Sequence, residues 1–343
     1  MNQQKSRILC AAAGIIILIF DAQTALPAAR EGIELCIKSL IPSLFPFFVL
    51  SGLLTGNLTG FPSRWFSILE KWFHIPAGSG ALVTIGFLSG YPVGAGNVCT
   101  ALRNKQLSRN QAQRMASFCN NAGPAFLFGM VSQQFSHPRY VWLLWAIQIA
   151  GSFVLARISY LDDHPEGLCI SSNSVTPVQA MNQAMHSIAA VCGWVILFKI
   201  LLEYLRVWVL SMLPIPAEVA VTGLVELSNG CVALHKIQPE GIRFLVASMM
   251  LSYGGCCVCL QTCSICYELS PKEYIRDKLI QCAVCTSLAI LLQPAFPAEQ
   301  RPAIASPLLF IPTTILCALI FSRKKRKKAV AMQRHLMYNQ GNA

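Results

Sequence analysis

Residues 88–100 read LSGYPVGAGNVCT and lie within a run of apolar residues long enough to enter a bilayer. A lipid-facing helix would carry leucine here, yet Pro92 has no amide donor, and Gly90, Gly94 and Gly96 permit tight turns and close backbone approach. In hydrocarbon every backbone N–H and C=O must be satisfied, so unwound chain is tolerated only where protein buries it or where it lines a polar cavity. The stretch therefore predicts a helix that breaks inside the membrane.

The surrounding composition supports the membrane setting. Of 343 residues, 54% are hydrophobic and only 12% charged, where a soluble domain carries about 25%. That balance excludes an ordinary soluble enzyme. Apolar windows at 8–26, 33–54, 141–158, 185–205, 282–294 with its flanks, and 307–321 approach or reach the length of a span. Lys5 and Arg7 precede the first window, but no small-residue cleavage site closes it, so it reads as a retained helix. The expectation is an all-α polytopic membrane protein with about eight transmembrane helices and two re-entrant or broken segments.

Charge orients the chain. The net charge is +12, and the run RKKRKK at 323–328 follows the last apolar window, as a cytoplasmic anchor that can also touch anionic lipid. Nucleic acid is not expected as a partner. Arg103, Lys105, Arg109 and Arg114 have no acidic residue among them, so residues 103–114 also lean cytoplasmic. Residues 61–74 place Trp65, Phe66, Ile68, Leu69, Trp72 and Phe73 among Arg64, Glu70 and Lys71, the pattern of an interfacial amphipathic helix. With both flanks on one side, residues 76–102 must enter and return.

The sequence carries an internal echo. PAGSGALVTIGFLS (76–89) aligns with PEGIRFLVASMMLS (239–252), and after a slip of one residue Thr100 pairs with Thr262, Leu107-Ser108 with Leu269-Ser270 and Arg114 with Arg276. Serines 108 and 270 read as helix N-caps. The expected organisation is a membrane helix at 1–30, a first repeat at 31–160, a polar linker at 161–182, a second repeat at 183–322 and a basic tail at 323–343. Paired breaks in two halves are the sequence pointer to a secondary transporter's binding site. Whether the halves are inverted or parallel is open at this level.

Several polar groups sit where lipid would reject them. Ser89, Gly90, Tyr91, Gly94, Asn97 and Thr100 belong to the first break, and Asn120 and Asn121 follow in FCNNAGPAFLFG (118–129). In the second half LSYGGCCVCLQTCSIC (251–266) contributes Ser252, Tyr253, Gln261 and Thr262. Backbone N–H groups freed at half-helix starts, with these side chains, are the candidate substrate contacts. Glu226, in GLVELSNGCVAL (223–234), is an intramembrane carboxylate and with Asn229 is the candidate for coupling to protons or sodium ions. Cysteines 256, 259, 263 and 266 share one helical face but are strung over about 15 Å; they read as small packing residues and no metal is expected. Neither a catalytic triad motif nor a P-loop occurs, so neither enzyme nor cofactor is expected.

GFLSGYPVGAGNVCTALRNKQLSRNQAQRMASFCNNAGPAFLFG (86–129), GLVELSNG (223–230) and LSYGGCCVCLQT (251–262) resemble the signature motifs of the YlbJ family of sporulation integral membrane proteins, within the nucleoside-recognition or Gate superfamily. The resemblance spans residues 30–320, weakest at the cysteine cluster. It implies a multi-pass protein of the bacterial cell membrane that moves a small organic anion, dipicolinic acid, from the mother cell across the outer forespore membrane. A nucleoside or other metabolite carrier, and a non-transporting sporulation scaffold, stay open beside it, as does a homo-oligomer.

Overall fold

The computed structural model describes residues 3–57, 63–159, 175–293, 296, 297 and 299. Among them every regular element is helical. The apolar window at 307–321 and the basic tail lie outside the described residues, as does most of the polar linker.

α1 (Gln3–Phe20), α2 (Ala22–Leu35) and α3 (Ile41–Asn57) lead the chain, with a π-helical turn at Cys36–Leu40 joining the last two. The window expected as one helix at 8–26 is divided at Asp21, whose carboxylate accepts from the Thr24 hydroxyl at 2.9 Å. α4 (Ser63–Phe73) is the amphipathic segment: Phe73 is buried and Ile68 and Trp72 are exposed. Its Glu70 accepts from the amides of Gly78 at 2.8 Å and Gly80 at 3.1 Å, which fixes the entry into α5 (Gly80–Ser89).

Among the described residues four stretches are long and apolar enough to cross a membrane: Ala22–Leu54, Pro138–Ile158, Pro177–Trp208 and Glu240–Ile265. The expected window at 282–294 falls in α15 (Pro271–Leu291), whose first turns carry Lys272, Glu273, Arg276, Asp277 and Lys278, while α5, in the segment expected to enter and return, and α11 (Ile215–Val225) are apolar but only half a span long.

Returns and breaks alternate. α5 turns at Gly90, whose φ is +74°, and packs back along α6 (Val93–Arg103). α7 (Arg109–Cys119) starts at Ser108 in a reciprocal capping box with Gln111, the expected cap. It ends at Asn120, and after extended residues 120–123 the chain goes on into α8 (Pro124–Gly129) and α9 (Pro138–Ile158). α10 (Pro177–Trp208) opens with a second capping box between Thr176 and Gln179 and lies against α2 and α3. α11 returns on α12 (Leu227–Ala233) across the single residue Glu226. α13 (Glu240–Tyr253) and α14 (Gly255–Ile265) follow one another through Gly254, left-handed at φ +89°. They do not fold back: the second return lies at Glu226, not at 254–255 where alignment with residues 90–94 would put it.

α7, α9, α13 and α15 pack together at the centre. Two buried arginines mark opposite ends of α9. Arg114 donates to the carbonyl oxygens of Phe73 at 2.6 Å and Ala156 at 2.9 Å, and to that of His74. Arg243 donates to the carbonyls of Gln134 at 2.6 Å, Ile237 at 3.0 Å and His235 at 3.3 Å. Each satisfies carbonyls that loops would otherwise leave bare in a buried place. Arg114→Ala is therefore expected to lower stability by about 2–3 kcal/mol, read as a fall in thermal unfolding temperature in detergent.

Candidate functional site

The break between α7 and α8 is the centre of the polar interior. Asn120 and Asn121 are both buried in it, and the Gly90 turn sits directly on it. The Tyr91 amide donates to the Asn121 carbonyl at 2.9 Å, and the Ala95 amide reaches Asn120 Oδ1 at 3.4 Å. Two amides at the start of the returning arm thus meet asparagine oxygens opposite, while those of Gly94 and Gly96 bond to the carbonyls of Gly90 and Pro92. Asparagine is suited to this, since its amide both donates and accepts.

From the break, side chains extend into the second half of the molecule. Asn120 Nδ2 donates to Thr262 Oγ1 at 2.9 Å and to Tyr274 Oη at 2.7 Å. Asn121 Nδ2 donates to the Phe118 carbonyl at 2.6 Å and Ser152 Oγ at 3.0 Å, and its Oδ1 accepts from Gln281 Nε2 at 2.6 Å. Gln148 Oε1 accepts from the Ala122 amide at 3.1 Å. Lys278, 0% exposed, donates to the Asn120 carbonyl, to Gln281 Oε1 at 2.8 Å and to Asn121 Oδ1 at 3.4 Å.

The expected site residues divide into three groups. Asn120 and Thr262 are joined by a direct hydrogen bond, Asn121 is linked to Asn120 through Lys278, and the backbones of Gly90, Tyr91 and Gly94 press on the same break. Tyr91 also donates its hydroxyl to the Leu251 carbonyl at 3.2 Å, tying the first turn to the end of α13. Ser89 Oγ and Asn97 Nδ2, on the two arms of the hairpin, are buried with no hydrogen-bond partner among the described residues. Three others turn elsewhere: Ser252 bonds back to the Ser248 carbonyl at 2.5 Å, Tyr253 faces Cys256, and Gln261 bonds Cys257 Sγ at 3.4 Å.

Glu226 and Asn229 form a separate cluster at the turn of the second hairpin. The carboxylate, 1% exposed, accepts from the amides of Ser228 at 3.1 Å and Asn229 at 2.7 Å and from Asn229 Nδ2 at 2.7 Å. It is the N-cap of α12, which the sequence pattern did not announce because Glu is an uncommon cap. Glu226→Ala is expected to cost about 1–2 kcal/mol, with Glu226→Gln costing less because its one oxygen still caps; paired thermal unfolding curves measure the difference.

The residues that sequence reasoning missed lie on α15 and α9. Tyr274, Lys278, Gln281 and Cys285 recur at i, i+4, i+7 and i+11, one face of a helix, and all are buried. That spacing was the available signal. It was hidden because Lys278 follows Lys272, Glu273, Arg276 and Asp277 and reads as part of a wet flank. Ser152 and Gln148, also four apart, are the matching polar positions of α9.

At the end of the bundle that holds Arg114, the first hairpin is latched to the end of α14. Arg103 Nε reaches Glu268 Oε1 at 2.6 Å, its guanidinium lies over the Tyr267 ring, and Cys99 is bonded to Cys266 with Cα atoms 5.8 Å apart. The Arg103 guanidinium holds Glu268 below the usual carboxylate range. The ion pair is therefore complete above the ordinary carboxylate pKa and is lost as pH falls through the lowered one.

No protein-family model matches the chain, and no solved structure matches it. It is similar to the sporulation integral membrane protein YlbJ of Bacillus subtilis (strain 168), with 24% identity over 364 aligned positions that take in 88% of this chain and 87% of the relative. That coverage includes both hairpins, both helix breaks and the long apolar helices between them. The chain is a multi-pass membrane protein that is similar over most of its length to this sporulation integral membrane protein.

Proposed function

We propose that this protein is a carrier for a small organic anion, dipicolinate, moved from the mother cell across the outer forespore membrane during sporulation. The observation that carries the reading is the seating of the Gly90 turn on the Asn120–Gly123 break, with Asn120 and Asn121 bonded across to α9, α14 and α15. Interrupted backbone inside an apolar bundle is the way secondary transporters build a site near the bilayer midplane. The relative supports the sporulation setting; the superfamily resemblance supports carriage of a metabolite.

The two halves read as inverted copies, α5–α9 against α11–α15. In each, a short hairpin precedes a helix interrupted near its middle, and the hairpin tip meets that interruption: Gly90 lies at Gly123, and Gly255 lies at Gly223 and Leu227. Arg114, in the second turn of α7, and Arg243, in the first turn of α13, lie at opposite ends of α9. This pairing makes α7–α8 the counterpart of α13–α14. In it, Glu226 and Asn229 are the groups for coupling to protons or sodium ions.

Uptake of labelled dipicolinate into proteoliposomes holding the purified full-length protein, with and without a proton gradient, tests the reading. Saturable uptake, blocked by unlabelled dipicolinate and not by nucleosides, is the expected result. Uptake blocked by nucleosides instead, or none at all, would refute it.

A further inference from the structure

Lys278 is more deeply buried than Arg114 or Arg243, the other buried cations among the described residues. Its ammonium is fully buried, and each oxygen it touches is neutral: the Asn120 carbonyl, Asn121 Oδ1 at 3.4 Å and Gln281 Oε1 at 2.8 Å. No carboxylate lies within ion-pairing distance among the described residues. The neighbouring Asp277 is engaged by Arg276 at 3.0 Å, and Glu226 is occupied at the other hairpin by the start of α12. A buried ion ordinarily finds a counter-ion, because an unmatched one costs several kcal/mol of desolvation. Lys278 is also built into the break: it bonds both asparagines and, through Gln281, reaches Ser152 of α9 at 2.9 Å.

We propose that Lys278 is the fixed countercharge of the transport site and that the missing anion is a carboxylate of the substrate. The proposal rests on the carrier reading and specifies how that site selects charge. On binding, a substrate carboxylate takes the place of the Asn120 carbonyl and Gln281 oxygens around the ammonium, and the asparagine and glutamine amides then donate to the substrate's remaining oxygens. The empty protein holds the cation with neutral dipoles strong enough to keep it folded and weak enough to be displaced. A dianion is therefore favoured over a neutral molecule of the same shape.

The test compares equilibrium binding of pyridine-2,6-dicarboxylate and of its neutral isostere pyridine-2,6-dicarboxamide to the purified full-length protein. Wild type is expected to prefer the dicarboxylate by about a hundredfold. Lys278→Met is expected to lose that preference while binding the dicarboxamide within about threefold of wild type, a pattern that a purely structural lysine would not give. Lys278→Arg, which keeps the charge, should retain the preference and serves where the methionine variant does not fold. Dicarboxylate binding by wild type with the preference unchanged in Lys278→Met, or a loss of preference in a folded Lys278→Arg, overturns the assignment of Lys278 alone. Failure of wild type to bind dicarboxylate overturns the carrier reading and this inference together.

Discussion

Gly90→Ala is expected to destabilise the protein by about 2–5 kcal/mol and to abolish transport. Gly90 has φ +74° and ψ −170°, a region that is essentially glycine's own, so any side chain adds backbone strain. A Cβ there would also stand 2.5 Å from the Gly123 amide nitrogen and 2.8 Å from Gly123 Cα. Those are backbone atoms of the opposing break and have no rotamer by which to yield. Gly94 is equally confined, with a Cβ 2.4 Å from the Cys119 carbonyl oxygen. Gly96 is the control: its Cβ would meet only Ile265 Cγ2 at 3.7 Å, so Gly96→Ala should change stability by less than about 1 kcal/mol. Thermal unfolding in detergent and uptake in vesicles separate the three. Similar behaviour of all three would contradict the seating of the turn on the break.

Asn121→Ala is expected to reduce uptake about a hundredfold and stability by about 2–4 kcal/mol. Its amide holds the Phe118 carbonyl and Ser152, and its oxygen receives Gln281 and Lys278. Truncation removes a donor and an acceptor from groups that cannot reach water. Asn121→Asp separates stability from function. A carboxylate 3.4 Å from the Lys278 ammonium would give the cation a permanent partner, so this variant should be nearer to wild type in stability than Asn121→Ala, yet should not take up the anion. Asn121→Asp with normal uptake would show that Lys278 need not be free for substrate.

Much of the first half was legible in the sequence because its signals are local. Proline and glycine at 90–96 dictate a break, basic residues on both flanks dictate a return, and Ser108 with Gln111 dictates the start of α7. The asparagine pair was legible because two amides in an apolar run must meet partners. The second half was read less well. Its hairpin turns on one residue, Glu226, with no proline and with the carboxylate itself capping the returning helix. The similarity of 76–89 to 239–252 drew the second return toward Gly254, where α13 instead passes into α14. Lys278 was obscured by its charged neighbours, since a lysine beside Asp277 and Arg276 reads as surface until helical phase is considered. Only the packing of α15 against α7 and α9 turns that phase inward.

The central claim is that a small dicarboxylate binds at the α7–α8 break, between the Gly90 turn and α15. A structure of the full-length protein determined in saturating pyridine-2,6-dicarboxylate tests it most directly. The account predicts ligand density within hydrogen-bonding distance of Asn120 or Asn121, with one carboxylate on the Lys278 ammonium. Ligand bound elsewhere, with the Lys278 ammonium still held by Asn120 and Gln281, would contradict it.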